Sequence, residues 1–314
     1  MKKLIQDVKQ MQKCNNMADR WDTYFTEPLA MLCSRVFVKW GVHPNLVTTF
    51  SIITGVAGGV CFFFGGLPLN LLGFFLEIVA AVFDCSDGQV ARMSHKKSEF
   101  GRILDGFGDG LVCLAVYVGA CRQLMEANVS FTNVPWGIWV WVVCLLCGGY
   151  FHADQARVAD YYRNVHVYLT RPNSGSELTR SRKIAEERKA APKGSFKKVV
   201  LFMYGLYTKS QELYAPNLQK LLDAVEAAGG VSEDVSARFA ETSDKIVRRT
   251  NLLTYNLRAY SFYFFILIGH ADLIFPVILL VIEPIKWFLI LRYEKAAKTV
   301  LDECFTRSAA ESVL

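Results

Sequence analysis

Apolar positions along this chain do not alternate with polar ones in the manner of half-buried strands or helices. They gather in long blocks separated by charged stretches, the pattern expected where lipid is the solvent. A membrane-crossing helix needs about 20 mostly apolar residues, and blocks of that kind lie at 46–66, 67–86, 103–122, 135–153, 252–271 and 273–293. Gly65-Gly66-Leu67-Pro68 marks a tight turn between the first two, and His270-Ala271-Asp272 one between the last two. Six crossings place both ends of the chain on one side. Residues 19–40 are interrupted by Asp19, Arg20, Asp22, Glu27, Arg35 and Lys39, yet Trp21, Tyr24, Phe25, Leu29, Leu32 and Val36 recur at helical spacing. That pattern predicts an amphipathic helix lying in the membrane interface.

Charge then assigns the sides. Of 314 residues, 52% are hydrophobic, and 35 Lys and Arg against 29 Asp and Glu leave a net +6. The 65–70 turn is uncharged and the 123–134 loop holds only Glu126, whereas the N-terminus, the 92–102 loop and the 154–251 segment are rich in Lys and Arg. The positive-inside rule makes the basic parts cytosolic. The first 20 residues carry Lys2, Lys3, Lys9 and Lys13 without an unbroken apolar stretch, which predicts no secretory signal. The basic charge flanks spans rather than an aromatic-interleaved patch, so nucleic acid is not an expected partner. The nine cysteines form no disulfide framework, and Cys144-Leu-Leu-Cys147 reads as a pair of packing residues on a membrane helix.

The expected organisation is therefore all-α. A cytosolic N-terminus with an interfacial helix occupies 1–45, and the first four of six transmembrane helices occupy 46–153. A helical cytosolic insertion follows at 154–251, then the last two transmembrane helices at 252–293 and a cytosolic tail at 294–314. Within the insertion, Lys197–Tyr207 is basic and then apolar, which suits contact with a membrane surface. Leu213, Leu218, Leu221, Leu222 and Val225 repeat at helical spacing before the Gly229-Gly230 break.

Four carboxylates sit where two of the apolar blocks meet the cytosol: Asp84 and Asp87, then Asp105 and Asp109. Spacings of three and four residues put each pair on one helix face, with Cβ atoms about 5–6 Å apart. Ionisable groups in such positions are costly and mark function. Four like charges brought together repel, and they are relieved by protonation or by hard divalent cations such as Mg²⁺ or Mn²⁺. Gly88, Gly101, Gly106 and Gly108 permit close approach of a ligand or helix, and Arg92 offers a bidentate phosphate clamp, with Ser98 and Arg102 near it in sequence. Metal and Arg around a diphosphate point to phosphoryl transfer. A cation transporter would need polar residues across the whole membrane. Here the outer halves (Leu111–Ala120 and Val47–Phe64) are apolar apart from a few hydroxyls.

Asp84-x2-Asp87-Gly88-x2-Ala91-Arg92-x8-Gly101-x3-Asp105-x3-Asp109 resembles, at every fixed position, the motif of the CDP-alcohol phosphotransferases (CDP-alcohol phosphatidyltransferases). Pro44-Asn45 and Thr48 are similar to that family's entry into its first span. The resemblance implies a metal-dependent transferase that moves a phospho-substituent from a CDP-linked donor to an alcohol, releases CMP and makes a membrane phospholipid. It implies two Mg²⁺ (or Mn²⁺) ions held by Asp84, Asp87, Asp105 and Asp109, with Asp109 also the general base. Gly88, Ala91 and Arg92 would hold the donor, with Asn45, Thr48, Ser98 and Gly101 nearby, in a homodimer. A non-catalytic relative would be expected to lack Asp109, which is present. Two substrate arrangements share the motif. One joins CDP-diacylglycerol to a polar alcohol, with inositol phosphate favoured by Arg92, Lys96, Lys97, Arg102 and Arg157. The other joins CDP-ethanolamine or CDP-choline to diacylglycerol or ceramide. Inositol-phosphate members carry Arg directly after the fourth Asp; this chain carries Gly110.

Overall fold

Proline and glycine punctuate the first long helices of the chain, described here from a computed structural model covering residues 21–96, 98–172, 178–192 and 194–306. The early lysines at 2–13 and Lys97 lie outside the described residues, as do the side chain of Arg102 and the tail beyond 306. Helix α1 (Glu27–Lys39) follows a π-helical turn, Asp22–Thr26. Helix α2 (Pro44–Phe64) starts with Pro44, whose missing N–H costs nothing in a first turn, and His43 caps it by accepting from the Asn45 N–H at 3.3 Å. Gly65 and Gly66 take φ of 72° and 81°, a region that L side chains avoid, and this lets the chain reverse into α3 (Leu67–Met93). Ser98 opens α4 (Glu99–Met125) by accepting from the Gly101 N–H at 2.9 Å.

The remaining elements are α5 (Trp139–Cys144), which continues through a π-helical stretch at Leu145–Phe151 into α6 (His152–Thr170), then α7 (Ser181–Ala190), α8 (Phe196–Glu212), α9 (Pro216–Ala227), α10 (Glu233–Arg249), α11 (Tyr255–Leu267) and α12 (Glu283–Leu301). Apart from one isolated bridge, Asn128 to Pro135, the described residues contain no β-structure. The all-helical expectation is met.

Four helices are long and apolar enough to cross a membrane: Pro44–Phe64, Leu67–Met93, Leu104–Met125 and Ala271–Phe305. They correspond to four of the six expected blocks. The other two blocks form shorter or more polar helices. Block 135–153 starts its helix only at Trp139 and runs on into His152, Asp154 and Gln155. Block 252–271 yields the 13-residue α11, about 20 Å long at 1.5 Å per residue. Hydropathy counts apolar residues, and it does not register the 3-10 turn at Thr250–Leu253 that precedes α11.

The described chain divides into two compact units. One comprises residues up to Phe151 together with Asn256–Leu279; the other comprises His152–Tyr255 together with the chain from Leu280. In the first, α2 lies between α3 and α4, and small residues make this possible. A Cβ on Gly59 would stand 2.6 Å from the Ala115 backbone, one on Gly119 would stand 2.5 Å from the Gly59 carbonyl oxygen, and one on Gly108 would meet Ile52 at 2.4 Å. Lipid offers helices no hydrophobic drive to associate, so close backbone approach of this kind supplies the packing energy. Gly106, by contrast, faces open space.

In the second unit Leu218, Leu221, Leu222 and Val225 of α9 are buried, as their spacing predicts, but Leu213 is 74% exposed. Helix α8 ends at Glu212, so Leu213 belongs to the turn and not to the α9 face. Buried Lys286 of α12 contacts Asp154 and Glu283, each at 2.5 Å, while Arg157 pairs with the same Asp154 and donates to Ser210. Arg163 donates to Thr250 and Asn251. Both arginines thus serve the second unit's own packing.

Candidate active site

Helices α3 and α4 carry the acidic motif. Asp84 and Asp87 lie one turn apart in the last third of α3, and Asp105 lies in the second turn of α4. Carboxylate oxygens of these three all fall within 4.8 Å of one another, Asp87 buried and the other two half-buried. Asp109 sits one turn further along α4, exposed, and close enough to Asp84 and Asp105 to act on both electrostatically. Three hard oxygen donors at this separation form a set that one divalent cation can join, which fits the group suggested by the charge pattern.

The groups around the cluster come from the two helix starts. Thr48, in the second turn of α2, donates its hydroxyl hydrogen to Asp87. Asn45 reaches across to the start of α4: a Cβ on Gly101 would stand 2.8 Å from Asn45 Oδ1 and 3.0 Å from Ser98 Oγ. Gly101 therefore leaves room for two polar side chains that any larger residue would displace. One turn past Asp84, a Cβ on Gly88 would stand 3.3 Å from Arg92 Nη1, so the guanidinium folds back over glycine. Arg92 Nε is buried with no hydrogen-bond partner among the described residues, an unmet donor beside the carboxylates' helix. Ala91 is half-buried; its carbonyl accepts from the Lys96 N–H at 3.2 Å and ends the helix there.

One further set of contacts has no counterpart in the motif. Ser34 Oγ of α1, whose nearest acceptor is the Ala30 carbonyl of its own helix at 2.7 Å, also lies 3.1 Å from the Ser86 carbonyl oxygen and 3.2 Å from Gln89 Oε1. In return, Ser86 donates to the Ala30 carbonyl at 3.3 Å and Gln89 to the Glu27 carbonyl at 3.3 Å. These hydrogen bonds fasten α1 to the turns of α3 that hold Asp84 and Asp87. Nothing in the periodicity of 19–40 names Ser34 as the anchor; the only available signal is a serine inside an otherwise apolar helical face.

The sequence model of the CDP-alcohol phosphatidyltransferase family matches residues 41–168. This stretch is thus similar to a CDP-alcohol phosphatidyltransferase domain. Asp84, Asp87, Asp105 and Asp109 fall inside the match, together with Asn45, Thr48, Gly88, Ala91, Arg92, Ser98 and Gly101. An uncharacterized protein of Aquifex aeolicus (strain VF5) is 36% identical over 103 residues, which cover 32% of this chain and 50% of that protein. The chain thus spans half the length of the curated relative it matches. No solved structure matches. The family supports phosphotransfer from a CDP-alcohol to an alcohol in a membrane setting and is divalent-metal dependent.

Proposed function

We propose that this protein makes a membrane phospholipid by transferring the phospho-substituent of a CDP-linked lipid to a polar alcohol, with release of CMP. The observation that carries the reading is the convergence of Asp84, Asp87 and Asp105 within 4.8 Å inside the transferase domain. Asp84, Asp87 and Asp105 hold divalent metal, Mg²⁺ or Mn²⁺, and Asp109 completes a second position. Bound metal supplies charge neutralisation of the donor diphosphate and of the departing phosphate.

The chain's own residues do the rest. Thr48 fixes one rotamer of Asp87. Arg92, whose Nε has no partner among the described residues, binds donor phosphate. Gly88 and Ala91 leave room for the nucleotide, and Asn45, Ser98 and Gly101 line its approach. Asp109 takes the proton of the acceptor hydroxyl as its oxygen bonds to the β-phosphorus. The bond from that phosphorus to the bridging oxygen breaks, and the electron pair leaves with CMP.

The membrane arrangement we propose keeps six crossings, with 135–153 and 252–271 as the fourth and fifth. Outward-facing Ile138, Trp139, Leu145 and Tyr150, and Phe264 and Ile268, support it, since such surface is unfavourable in water. The basic flanks favour a cytosolic position for both ends, the site, the 154–251 insertion and the 294–314 tail. Helix α1 and the turn before it lie in that interface, with exposed Trp21, Tyr24, Phe25, Leu29, Leu32 and Val36 as their lipid face. Two copies associate as a homodimer.

Inositol phosphate is the leading acceptor, joined to CDP-diacylglycerol. A specific observation favours the second arrangement, in which CDP-ethanolamine or CDP-choline meets diacylglycerol or ceramide. The position after Asp109 is Gly110, with open space around it, so it brings no cation to an acceptor phosphate. The deciding experiment offers the purified protein radiolabelled CDP-diacylglycerol or CDP-ethanolamine with Mg²⁺ and a panel of acceptors, and follows CMP and lipid product. Turnover of CDP-diacylglycerol with a phosphorylated polyol supports the lead; turnover of CDP-ethanolamine with diacylglycerol supports the second; no turnover of either removes the enzymatic reading.

A further inference from the structure

In the second unit, α10 and α12 enclose a groove of about 330 Å³. Its two walls carry like charge. Lys245 and Arg249 stand one turn apart on α10, and Arg292 and Lys295 stand one turn apart on α12. No acidic residue lines the groove, and among the described residues none of these four cations forms an ion pair. Elsewhere in the unit arginines find carboxylates readily, as Arg180 and Arg182 do with Asp223 and Glu226. Four cations gathered at one groove repel one another, so an arrangement that keeps them without carboxylates is suited to an anion.

The groove is not uniformly polar. Its floor includes buried Leu289 and the half-exposed ring of Phe288, over which the Arg292 guanidinium sits at 5.4 Å. The hydroxyls at its edge are already used. Thr242 donates to the Arg238 carbonyl at 3.0 Å and Thr299 to the Lys295 carbonyl at 3.1 Å, so the donors left for a ligand are the cations. Immediately before Arg292 the same continuous helix exposes Leu280, Val281, Trp287, Phe288 and Leu291. An outward apolar column with a tryptophan near its end, followed directly by cations, is the profile of a helix leaving the bilayer at the headgroup level.

We propose that the groove binds the phosphate headgroup of an anionic phospholipid, with Lys245, Arg249, Arg292 and Lys295 around the phosphate and Phe288 and Leu289 under the upper acyl region. Basic pockets beside membrane helices on the cytosolic face recognise anionic headgroups in this way. The site shares no residue with the candidate active site.

The test uses the full-length protein in neutral detergent and reads binding by thermal shift. It is titrated in parallel with short-chain phosphatidylglycerol, short-chain phosphatidylcholine and inorganic phosphate. The expected result is a shift with phosphatidylglycerol that phosphatidylcholine and phosphate do not match. In the double variant Lys245→Gln/Arg292→Gln the apparent affinity falls about tenfold or more, as loss of two cations at roughly 1 kcal/mol each implies. The charge-keeping Lys245→Arg/Arg292→Lys retains binding, and so does Asp84→Asn, which separates this groove from substrate binding at the aspartates. Equal response to the two lipids overturns the proposal, as does undiminished binding in the neutralised variant. A response to inorganic phosphate equal to that of the anionic lipid overturns the headgroup assignment in favour of a free anion. Should the double variant fail to fold, Arg249→Gln and Lys295→Gln, both at exposed positions, replace it; each weakens binding severalfold, and no weakening in either overturns the proposal.

Discussion

Thr48 on α2 donates its hydroxyl hydrogen to Asp87 on α3, so the helix that enters the first apolar block orients a carboxylate of the second. Removing the donor while keeping the shape isolates that role. Thr48→Val is expected to lower turnover of the CDP-linked donor about tenfold and to cost about 1 kcal/mol of stability, the usual worth of one buried hydrogen bond. Thr48→Ser restores most of both. CMP release at matched protein concentration checks it, and unchanged turnover in the valine variant would show that Asp87 is oriented by other means.

The carboxylates differ in what their loss does. Asp84→Asn, Asp87→Asn and Asp105→Asn are expected to abolish turnover and to raise the Mg²⁺ needed for any residual activity. Asp109→Asn is expected to lower the rate constant about 10²–10⁴-fold, the range for a lost general base, with donor binding retained. EDTA is expected to remove turnover from the unaltered protein and excess Mg²⁺ to return it. Steady-state kinetics with a titration of the donor separate the two classes, since only the Asp109 variant keeps donor binding.

Gly59 and Gly110 make opposite predictions about one substitution. A Cβ at Gly59 meets the Ala115 backbone at 2.6 Å, and backbone has no rotamer to change, so Gly59→Ala is expected to destabilise the fold by about 1–3 kcal/mol. A Cβ at Gly110 meets nothing within 4 Å, and Gly110→Ala in mid-helix is expected to be neutral or to stabilise by up to about 1 kcal/mol. Thermal melts in detergent give the two signs.

His166 supplies a pH test away from the membrane helices. Its ring is buried, with Nδ1 2.9 Å from Ser243 Oγ and Nε2 3.3 Å from Asp244 Oδ1. Burial holds its pKa below the ordinary 6.5, and the half-exposed Asp244 only partly offsets this. With the folded pKa depressed, the unfolded chain binds the proton first as pH falls. The contribution to stability is intact above pH 6.5 and is lost as pH drops through the folded value. Melting temperature between pH 7.5 and 5.5 is therefore expected to fall more steeply in the unaltered protein than in His166→Gln.

The acidic cluster was legible because chemistry fixed the spacing: i,i+3 and i,i+4 aspartates flanked by glycine admit few other uses. The set that comes together, however, is Asp84, Asp87 and Asp105, with Asp109 a turn away. Spacing along each helix says nothing of how far one helix slides past the other. Ser34, Ser86 and Gln89 were invisible for a related reason. Two fall at unconstrained positions of the motif and the third on a helix whose apolar residues drew the attention, and hydrogen bonds between helices leave no periodic trace. The 135–153 and 252–271 blocks show the limit of hydropathy, which adds up side chains and does not register the 3-10 turn before α11 or the polar continuation into α6. Leu213 shows the same limit at smaller scale, since a repeat counted through a helix end assigns a turn residue to a buried face.

The glycine contacts along α2 have a consequence for the spacing of the acidic cluster. Gly59 against Ala115 and Gly119 against Gly59 are meetings of main chain with main chain, and Gly108 adds Ile52 on the same flank. The Ile52 side chain can yield by rotating; the two main-chain meetings can yield only by moving a whole helix. On the α3 side a Cβ on Gly73 would stand 2.9 Å from the Gly58 carbonyl oxygen, so the gap between the α3 pair and Asp105 behaves as the fixed jaw of a caliper, its opening set through α2 by residues outside the cluster. Any widening of the cluster would have to shift α3 or α4 against α2, and so the spacing of the aspartates is written in the glycines as well as in the acidic motif.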